Sequence, residues 1–348
     1  MINHAKKVSI KDIARELNLS ITTVSFVING KSDEKNISPA TVNKVNELIK
    51  KKGYNPNSAA RMLRTGKSKT IGLIVEDIGN YFFGNIAKII EIEAHRNGYN
   101  VFFSSTENDD ERAKSLINKM KNSSVDGFII TATKELKDEI ETLKKENIPF
   151  VLMDRLIPDI ESNYVILDNY RGAYDLTQHL ISKGYSKTGF ISLASEMSMM
   201  VDRERGYRDA LADAKIKTQA ETILKVPFDD AGENIIENIR KYILKNKGLE
   251  ALFFATNYLG VFGIEALQRS NLKIPADMAV VCFDDNDLFR LFTPSITVAA
   301  QPIHEIATRS ITLLLKIIKK EQKKGEVTGE IISPSIIVRN SCPQKPVF

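Results

Sequence analysis

One stretch of the chain, VSIKDIARELNLSITTVSFVING from Val8 onward, carries side chains whose spacing suits recognition chemistry. Thr22, Phe26 and Asn29 share the outward face of a helix that Ser20 can cap, because successive helical residues turn by about 100°. Short polar side chains on an exposed helix can hydrogen-bond to base edges and phosphates in the major groove of DNA. The spacing is therefore compatible with contact to a duplex.

Two short helices joined by a tight turn must position these side chains. The apolar residues of the first helix recur at i, i+3, i+4 and i+7, and they are Ile10, Ile13, Ala14 and Leu17. The predicted inward residues of the second helix are Ile21, Val24 and Ile28. Such a pair is a helix-turn-helix, which lays its second helix in the major groove. The pattern alone suits an amphipathic hairpin without DNA equally well.

The distribution of charge favours the DNA-binding interpretation. Residues 1–70 contain 14 lysines and arginines against 5 acidic residues, whereas residues 71–348 contain 35 against 39. All of the excess positive charge therefore lies in the first fifth of the chain. A polyanionic partner is the simplest use for such a segment.

The helix pair, together with SPATVNKVNELIKKKGYNPNSAARMLRTGKSKTIGLIV and the closing SPSIIVRNSC, resembles the LacI/GalR family of bacterial repressors. The resemblance implies an N-terminal all-α helix-turn-helix domain followed by a periplasmic-binding-protein-like α/β core of two doubly wound parallel-sheet lobes. We expect the DNA-binding domain in residues 1–56, a hinge helix in 57–68 and the core in 69–348. Lobe 1 is expected to span about 69–168 and 301–329, and lobe 2 about 169–299 and 331–348.

The resemblance also implies which residues contact DNA. Ile21, Thr22 and Phe26 are expected to face base edges, whereas Ser9, Thr23, Ser25 and Asn29 are expected to hold phosphates beside the cap Ser20. In the hinge, Asn57 can cap a short helix, Leu63 matches the leucine that wedges into the minor groove, and Arg61 matches a neighbouring basic position. A solvated linker in which Leu63 merely packs is the alternative. Phe26 departs from the arginine that the family commonly has, so we expect weaker guanine selection there.

From Thr70 onward, short apolar runs alternate with amphipathic helices. The strand candidates are TIGLIV, NVFFSS, DGFII, PFVLM, YVILD, TGFIS, ALFFAT, AVVCFD and SITVAA. Helices are predicted near residues 82–97, 109–122, 136–146, 202–214, 229–246, 258–270 and 302–320. This alternation predicts two parallel α/β sheets with a ligand crevice at the carboxyl ends of their strands. The resemblance further implies three crossings between the lobes.

Candidate ligand-binding residues follow several of these strands. Phe82 and Phe83 could stack on a sugar ring or a base, although core packing is an equal alternative. Arg203 and Asp284 match the effector-binding arginine and aspartate of the family. The alternative for Arg203 is an ordinary solvated charge, and the alternative for Asp284 is the cap of the next helix. The remaining candidates on the rim of the crevice are Asp154, Thr256 and Asn257. The family often has Asn-Asp where this chain has Thr-Asn, which puts a standard sugar-hydroxyl pattern in doubt.

Other classes of site find little support in the sequence. Residue 61 is arginine where a phosphate-binding loop ending at Gly66-Lys67-Ser68 needs glycine, and no G-x-S-x-G motif occurs. The four histidines are scattered, so we expect no metal site. We also expect no cofactor. Because no nucleophile motif occurs, we expect that the protein is not an enzyme. Cys282 and Cys342 are expected to be free thiols.

The sequence therefore predicts a cytoplasmic, homodimeric regulator, usually a repressor, whose partners are double-stranded operator DNA and a small-molecule effector and not a membrane. No apolar run approaches the roughly 20 residues of a membrane span, and the N-terminus lacks the apolar core of a signal peptide. A sugar or sugar phosphate is the expected effector, and a purine is the alternative. The alternatives from other classes of protein are a solute-binding receptor without DNA function and an enzyme that acts on the bound ligand.

Overall fold

The computed structural model describes residues 8–54, 62, 66–217, 220–227, 230–323 and 325–345. The chain forms two compact units, Met1–Ser68 and Lys69–Phe348. Within the described ranges, no helix is both long enough and apolar enough to cross a bilayer.

Three helices make up the described part of the first unit: Ile10–Glu16 (α1), Ile21–Ile28 (α2) and Pro39–Lys52 (α3). A capping box starts α1, because Asp12 Oδ2 accepts from the backbone N–H of Ser9 at 2.9 Å while Ser9 Oγ accepts from the backbone N–H of Asp12 at 3.3 Å. Ile13, Val24 and Val45 are fully buried, one from each helix. The three helices therefore share one small apolar core.

The prediction that Ile21 points inward is wrong. Its side chain is 45% exposed, whereas Val24 and Val27 are buried and Ile28 packs against the same core. Ile21 is the first residue of α2, directly after the cap Ser20, and it lies outside the apolar cluster that the three helices share. The inward stripe therefore starts one turn later than the spacing suggested.

The second unit contains two six-stranded sheets. The strands are Thr70–Val75 (β1), Asn100–Ser105 (β2), Gly127–Ile130 (β3), Phe150–Met153 (β4), Tyr164–Leu167 (β5), Thr188–Leu193 (β6), Ile223–Val226 (β7), Ala251–Phe254 (β8), Ala279–Phe283 (β9), Thr297–Ala300 (β10), Gly329–Ile332 (β11) and Ser335–Ile337 (β12). The first sheet has the order β11-β5-β4-β3-β1-β2, and the second has the order β12-β10-β9-β8-β6-β7. All pairs are parallel except β10 and β12. The predicted two-lobe α/β architecture is confirmed.

Helices connect the strands of each lobe. They are Tyr81–Arg96 (α4), Asp110–Asn122 (α5), Lys137–Lys145 (α6), Asn169–Ser182 (α7), Ser198–Asp213 (α8), Gly232–Lys245 (α9), Asn257–Arg269 (α10), Asp287–Leu291 (α11) and Ile303–Lys319 (α12). The sequence patterns identified neither α7 and the short α11 nor the strands β7 and β11. β7 has one fully buried residue, Val226, so its apolar pattern is weak.

The chain crosses between the lobes three times: after β5, after β10 and after β11. Helix α12 packs against α4 and the first sheet, and β12 then joins the second sheet. The expected boundary, which assigned residue 331 onward to lobe 2, is wrong. β11 runs to Ile332 and pairs with β5 in register Ile331 to Ile166, so the last crossing lies at residues 333–334.

Close packing of α7 on α8 depends on Gly206. A Cβ at this position would lie 2.3 Å from the backbone oxygen of Tyr170 and 2.9 Å from the backbone nitrogen of Tyr174. Because backbone atoms cannot move aside without moving the helix, only glycine permits this approach. The approach brings Arg203, one turn earlier on α8, to the start of α7.

Candidate functional site

The seven ligand-binding candidates of the sequence analysis lie together. They line one cavity of about 50 Å³ between the lobes, where Phe82, Phe83 and Asp154 come from lobe 1 and Arg203, Thr256, Asn257 and Asp284 come from lobe 2. Ligand pockets for small molecules usually measure about 300–1,000 Å³. In this structure the cavity is therefore smaller than the pockets that usually hold such ligands.

Arg203 makes three hydrogen bonds within this crevice. Its Nε donates to Asn169 Oδ1 at 2.8 Å, and one terminal nitrogen donates to the backbone oxygen of Ala255 at 2.6 Å and to Asp284 Oδ2 at 3.2 Å. The guanidinium also lies 3.7 Å from the centre of the Phe283 ring. Because the side chain is only 3% exposed, these partners hold it in one orientation. Its interpretation as an ordinary solvated charge is excluded.

Asp284 follows β9 at the carboxyl edge of the second sheet. Besides its contact with Arg203, its Oδ1 accepts a hydrogen bond from Gln301 Nε2 at 2.6 Å. Capping of the next helix falls to Asn286, whose side chain accepts from the backbone N–H of Leu288 at 2.9 Å. Asp284 is therefore available to the crevice and is not required as a helix cap.

Asp154 occupies the corresponding place in lobe 1. It follows β4, which is third in the order of the first sheet, as β9 is third in the second sheet. Both aspartates have left-handed backbones, with φ of 70° at Asp154 and 69° at Asp284. Burial raises the pKa of Asp154 to about 7, the charge of Asp284 adds to the rise, and that of Arg203 opposes it. The charge of Asp284 thus acts on the Asp154 carboxyl across the crevice.

Sequence reasoning missed a second buried arginine. Arg155 donates to Glu76 and, at 2.6 Å, to Asn108 Oδ1, and burial lowers its pKa to about 10. Glu76 directly follows β1, and Arg155 comes two residues after β4, at the same edge of the sheet as the candidates. The rule that ligands bind at the carboxyl ends of parallel strands could have found both residues.

Buried polar atoms without hydrogen-bond partners border the crevice. In the described part of the chain, Tyr258 Oη and Gln301 Oε1 are buried and make no hydrogen bond, whereas Arg155 Nε makes none but lies 3.4 Å from Asp154 Oδ2 in an ion pair. Such atoms are costly, since an unsatisfied buried group loses about 1–3 kcal/mol relative to a bonded one. A ligand that donates to Gln301 Oε1 and bonds to Tyr258 Oη would remove this cost.

The two phenylalanines are core residues as well as cavity residues. Phe82 and Phe83 are 7% and 5% exposed, and their ring centres lie 4.9 Å apart in an edge-to-face arrangement. They open α4, which Asn80 caps by accepting from the backbone N–H of Phe82 at 2.9 Å. Little of either ring is therefore open to a ligand.

Thr256 and Asn257 lie where β8 passes into α10, and both are buried. Thr256 Oγ1 caps α10 by accepting from the backbone N–H of Leu259 at 3.4 Å, and its backbone oxygen accepts from Cys282 Sγ at 3.2 Å. Asn257 is the first residue of the helix. The threonine side chain thus caps the helix, and both residues line the cavity.

In the first unit, the candidates for base contact lie on α2. Thr22 and Ile21 are exposed, whereas Phe26 is half-buried with the Lys35 ammonium 5.5 Å from the centre of its ring. Asn57, Arg61 and Leu63 lie outside the described residues.

The candidates for phosphate contact bond to neighbouring residues of the same helices. Ser20 Oγ and Thr23 Oγ1 are 2.8 Å apart, and Asn29 Nδ2 donates to the backbone oxygen of Ser25 at 2.5 Å. Ser9 is held in its capping box. These bonds fix the side chains in place at the ends of the two helices.

The structure gives no indication of a metal centre, since no group of three histidine, cysteine or acidic side chains in the described ranges is placed to hold an ion. Cys282 and Cys342 are free and buried. Burial raises the pKa of both thiols, which makes the reactive thiolate scarce.

Comparison with family models gives two matches. Residues 9–57 match the model described as bacterial regulatory proteins, lacI family, and residues 177–342 match the periplasmic binding protein-like domain. The first match covers α1, α2 and α3, and the second covers most of lobe 2 with α12.

Relatives match along nearly the whole chain. The HTH-type transcriptional regulator RegA of Clostridium saccharobutylicum is 33% identical over 96% of this chain and 98% of its own length. Catabolite control protein A of Priestia megaterium is 31% identical over 90% and 93%, respectively. The HTH-type transcriptional repressor PurR of Aliivibrio fischeri (strain MJ11) is 30% identical over 96% and 98%.

Solved structures share the fold. The lac repressor dimer bound to operator and the anti-inducer ONPF superimposes with a TM-score of 0.86 at 20% identity, covering 97% of this chain and all of that one. A complex of the transcriptional regulator CelR with cellobiose gives a TM-score of 0.71 at 24% identity, over 96% of this chain and all of that chain.

Proposed function

The chain belongs to the lacI family of bacterial regulatory proteins, and from this premise we propose that it is a homodimeric transcriptional regulator controlled by a small effector. Its helix-turn-helix binds DNA, and the crevice between the core lobes holds the effector. The observation that carries this proposal is the convergence of residues from both lobes on one cavity. A ligand that bridges them changes the balance between open and closed lobes.

We propose a neutral polyhydroxyl compound, such as an unphosphorylated sugar, as the effector. Both arginines of the crevice already have carboxylate partners, Arg203 with Asp284 and Arg155 with Glu76. Asp154 adds a further acidic group. A phosphate would therefore find no unpaired cation there, whereas sugar hydroxyls can donate to carboxylates and accept from the arginines.

A purine is a weaker candidate, although relatives named PurR match the chain. A flat base would need an open aromatic face on which to stack. Phe82 and Phe83 pack edge to face on each other and are almost fully buried. Purines belong in the ligand panel as a competing outcome.

On DNA, we propose that Thr22, Phe26 and the exposed Ile21 face base edges, with Ser9, Thr23, Ser25 and Asn29 at phosphates. Ser20 supports this end of α2 as its cap. Leu63, Arg61 and Asn57 are proposed to contact the minor groove in the 57–68 hinge. Such a protein acts where the chromosome is, and we place it in the cytoplasm. We assign it no catalytic role.

A second copy of the chain is the proposed partner of two exposed apolar surfaces. Phe102 and Phe103 on the edge strand β2 are 52% and 55% exposed, and Ile92 on α4 is 38% exposed. In lobe 2, Leu288 and Leu291 on α11 are 56% and 71% exposed. Apolar side chains on a sheet edge favour association, and a dimer would cover them.

The test of this function has two stages. Binding-site selection with the full chain identifies the operator, and a thermal-shift panel of sugars, sugar phosphates and purines identifies the effector. A ligand at about 100 times its dissociation constant adds about 2.7 kcal/mol of stability. We expect Arg203→Ala and Asp284→Ala to bind operator normally and to lose the response to effector.

Arg205→Ala is the matched control, because Arg205 is on the same helix but is exposed and pairs with Asp202. It should respond normally. A chain that prefers no operator over random duplex would contradict the regulatory function and favour a solute receptor. A normal effector response in both crevice variants would move the effector site elsewhere.

A further inference from the structure

A second cavity lies at the opposite edge of lobe 2 from the crevice. It measures about 370 Å³, and its lining residues lie at or before the starts of β6, β7 and β8, whereas the crevice is at the carboxyl ends of the strands. The lining is Ser186, Lys187, Thr188, Leu211, Ile216, Lys217, Thr222, Lys245, Asn246, Lys247, Gly248 and Leu249. This volume lies within the usual range of small-molecule sites, about 300–1,000 Å³.

The charge of this cavity is one-sided. Four of its lining residues are lysines, Lys187, Lys217, Lys245 and Lys247, and among the described lining residues none is an aspartate or glutamate. The described part of the chain gives none of these four a carboxylate partner within 4.0 Å. Other lysines of the same lobe are paired, for example Lys225 with Glu204 at 2.8 Å. All four lysines are exposed, and together they give this cavity a positive field that attracts an anion.

The fold explains only part of this cluster. Lys245 lies in the last turn of α9, where the helix dipole favours a cation. Lys187 immediately precedes β6, and Lys247 lies in the turn after α9, so neither is within a helix. Residues 71–348 as a whole carry four more negative than positive charges. A local surplus of four positive charges therefore runs against the balance of the core.

We propose that this cavity binds a small anionic metabolite that carries at least two phosphate groups. The lysines supply charge-assisted hydrogen bonds to phosphate oxygens, and Ser186 and Asn246 add neutral polar groups at the same wall. The apolar side chains of Leu211, Ile216 and Leu249 also line the cavity, and they can contact an organic portion of the ligand. This anion site is distinct from the crevice and does not depend on the identity of the effector there.

The test measures binding of pyrophosphate and of ADP to the full chain by calorimetry, at about 150 mM salt to screen weak surface attraction. Lys187→Gln/Lys247→Gln removes two of the four charges from the cavity. The matched control is Lys241→Gln/Lys273→Gln, which removes two exposed lysines of the same lobe that do not line the cavity. We expect one site per chain, with binding weakened roughly tenfold or more in the cavity variant and unchanged in the control.

Several results would overturn the proposal. Equal binding by the cavity variant and the parent would place the anion elsewhere, for instance on the basic N-terminal unit. The proposal would also be contradicted if neither pyrophosphate nor ADP bound to the parent chain. Loss of DNA affinity in the cavity variant, with anion binding retained, would make the lysines a nucleic-acid contact instead. The melting temperature of each variant is measured alongside, so that unfolding is not mistaken for lost binding.

Discussion

At the scale of single residues, the charge of the crevice depends on two aspartate carboxyls, one from each lobe. Asp154 and Asp284 stand at matching places in the two sheets, and Arg203 contacts Asp284 directly. A free aspartate titrates near pH 4. Because burial raises the pKa of Asp154 to about 7, the folded, closed chain binds a proton that the unfolded chain lacks between these pH values.

This linkage predicts a pH-dependent stability that Asp154→Asn abolishes. The stabilisation from the bound proton is fully present below about pH 4 and is lost as the pH rises through 7. Between pH 8 and pH 6 the parent should gain roughly 1 kcal/mol of unfolding free energy relative to the Asn variant. Denaturant unfolding at both pH values measures this difference. A difference between the two proteins that does not change with pH would contradict the assignment.

A second prediction at this scale concerns Phe26. Its half-buried ring cannot hydrogen-bond to a base, but it can contact a thymine methyl group. Phe26→Arg should introduce a preference for guanine at one position of each operator half-site, since arginine bonds to guanine O6 and N7. Parallel binding-site selections with the parent, the Arg variant and Phe26→Ala measure it. An unchanged consensus in the Arg variant would remove Phe26 from the base-reading surface.

The sequence identified the cavity residues better than it identified their partners. Arg203 and Asp284 were found by family resemblance, and the structure brings them together. Glu76 and Arg155 were missed because each looks like an ordinary charge after a strand, and only the pairing between strands shows that they meet. The prediction that Ile21 points inward failed for a related reason. Helical spacing shows which side of a helix a residue is on, but it does not show how far along the helix the neighbouring helices pack.

At the scale of elements, the position of Arg203 rests on the contact of α7 with α8. Gly206 permits this contact, because a side chain there would meet the backbone of α7. Sequence patterns did not identify α7. Besides apolar residues, its buried face includes Asn169, Gly172 and Thr177. A helix with so many small and polar buried positions has a weak apolar stripe, so periodicity alone does not identify it.

Gly206→Ala tests this dependence. Forcing the helices apart should cost about 1–3 kcal/mol of stability, typical of overpacking, and should lengthen the bond from Arg203 to Asn169. Effector affinity should fall, whereas operator binding without effector should persist. Gly248→Ala is the control, because a Cβ there meets nothing within 4 Å. Calorimetry and denaturant unfolding of both variants give the comparison, and equal stability of the two would refute the role of Gly206.

At the scale of the whole molecule, association of two chains should couple the effector to the operator. Phe103→Asp places a charge on the exposed apolar edge of lobe 1, so the dimer should weaken and operator affinity should fall at least roughly tenfold, because two half-sites then bind separately. Leu244→Asp changes an equally exposed residue on α9, at 58% exposure, and serves as the control. Sedimentation with mobility shift measures both effects. A Phe103→Asp chain that stays dimeric would place the interface elsewhere.

The three crossings between the lobes also determine how the core would respond to cutting. A single nick at residues 168–169, 301–302 or 333–334 would leave two intact covalent links between the lobes, as well as every strand and its neighbours. A protease that opens one connection would therefore release no fragment under native conditions, and the two pieces would separate only in denaturant.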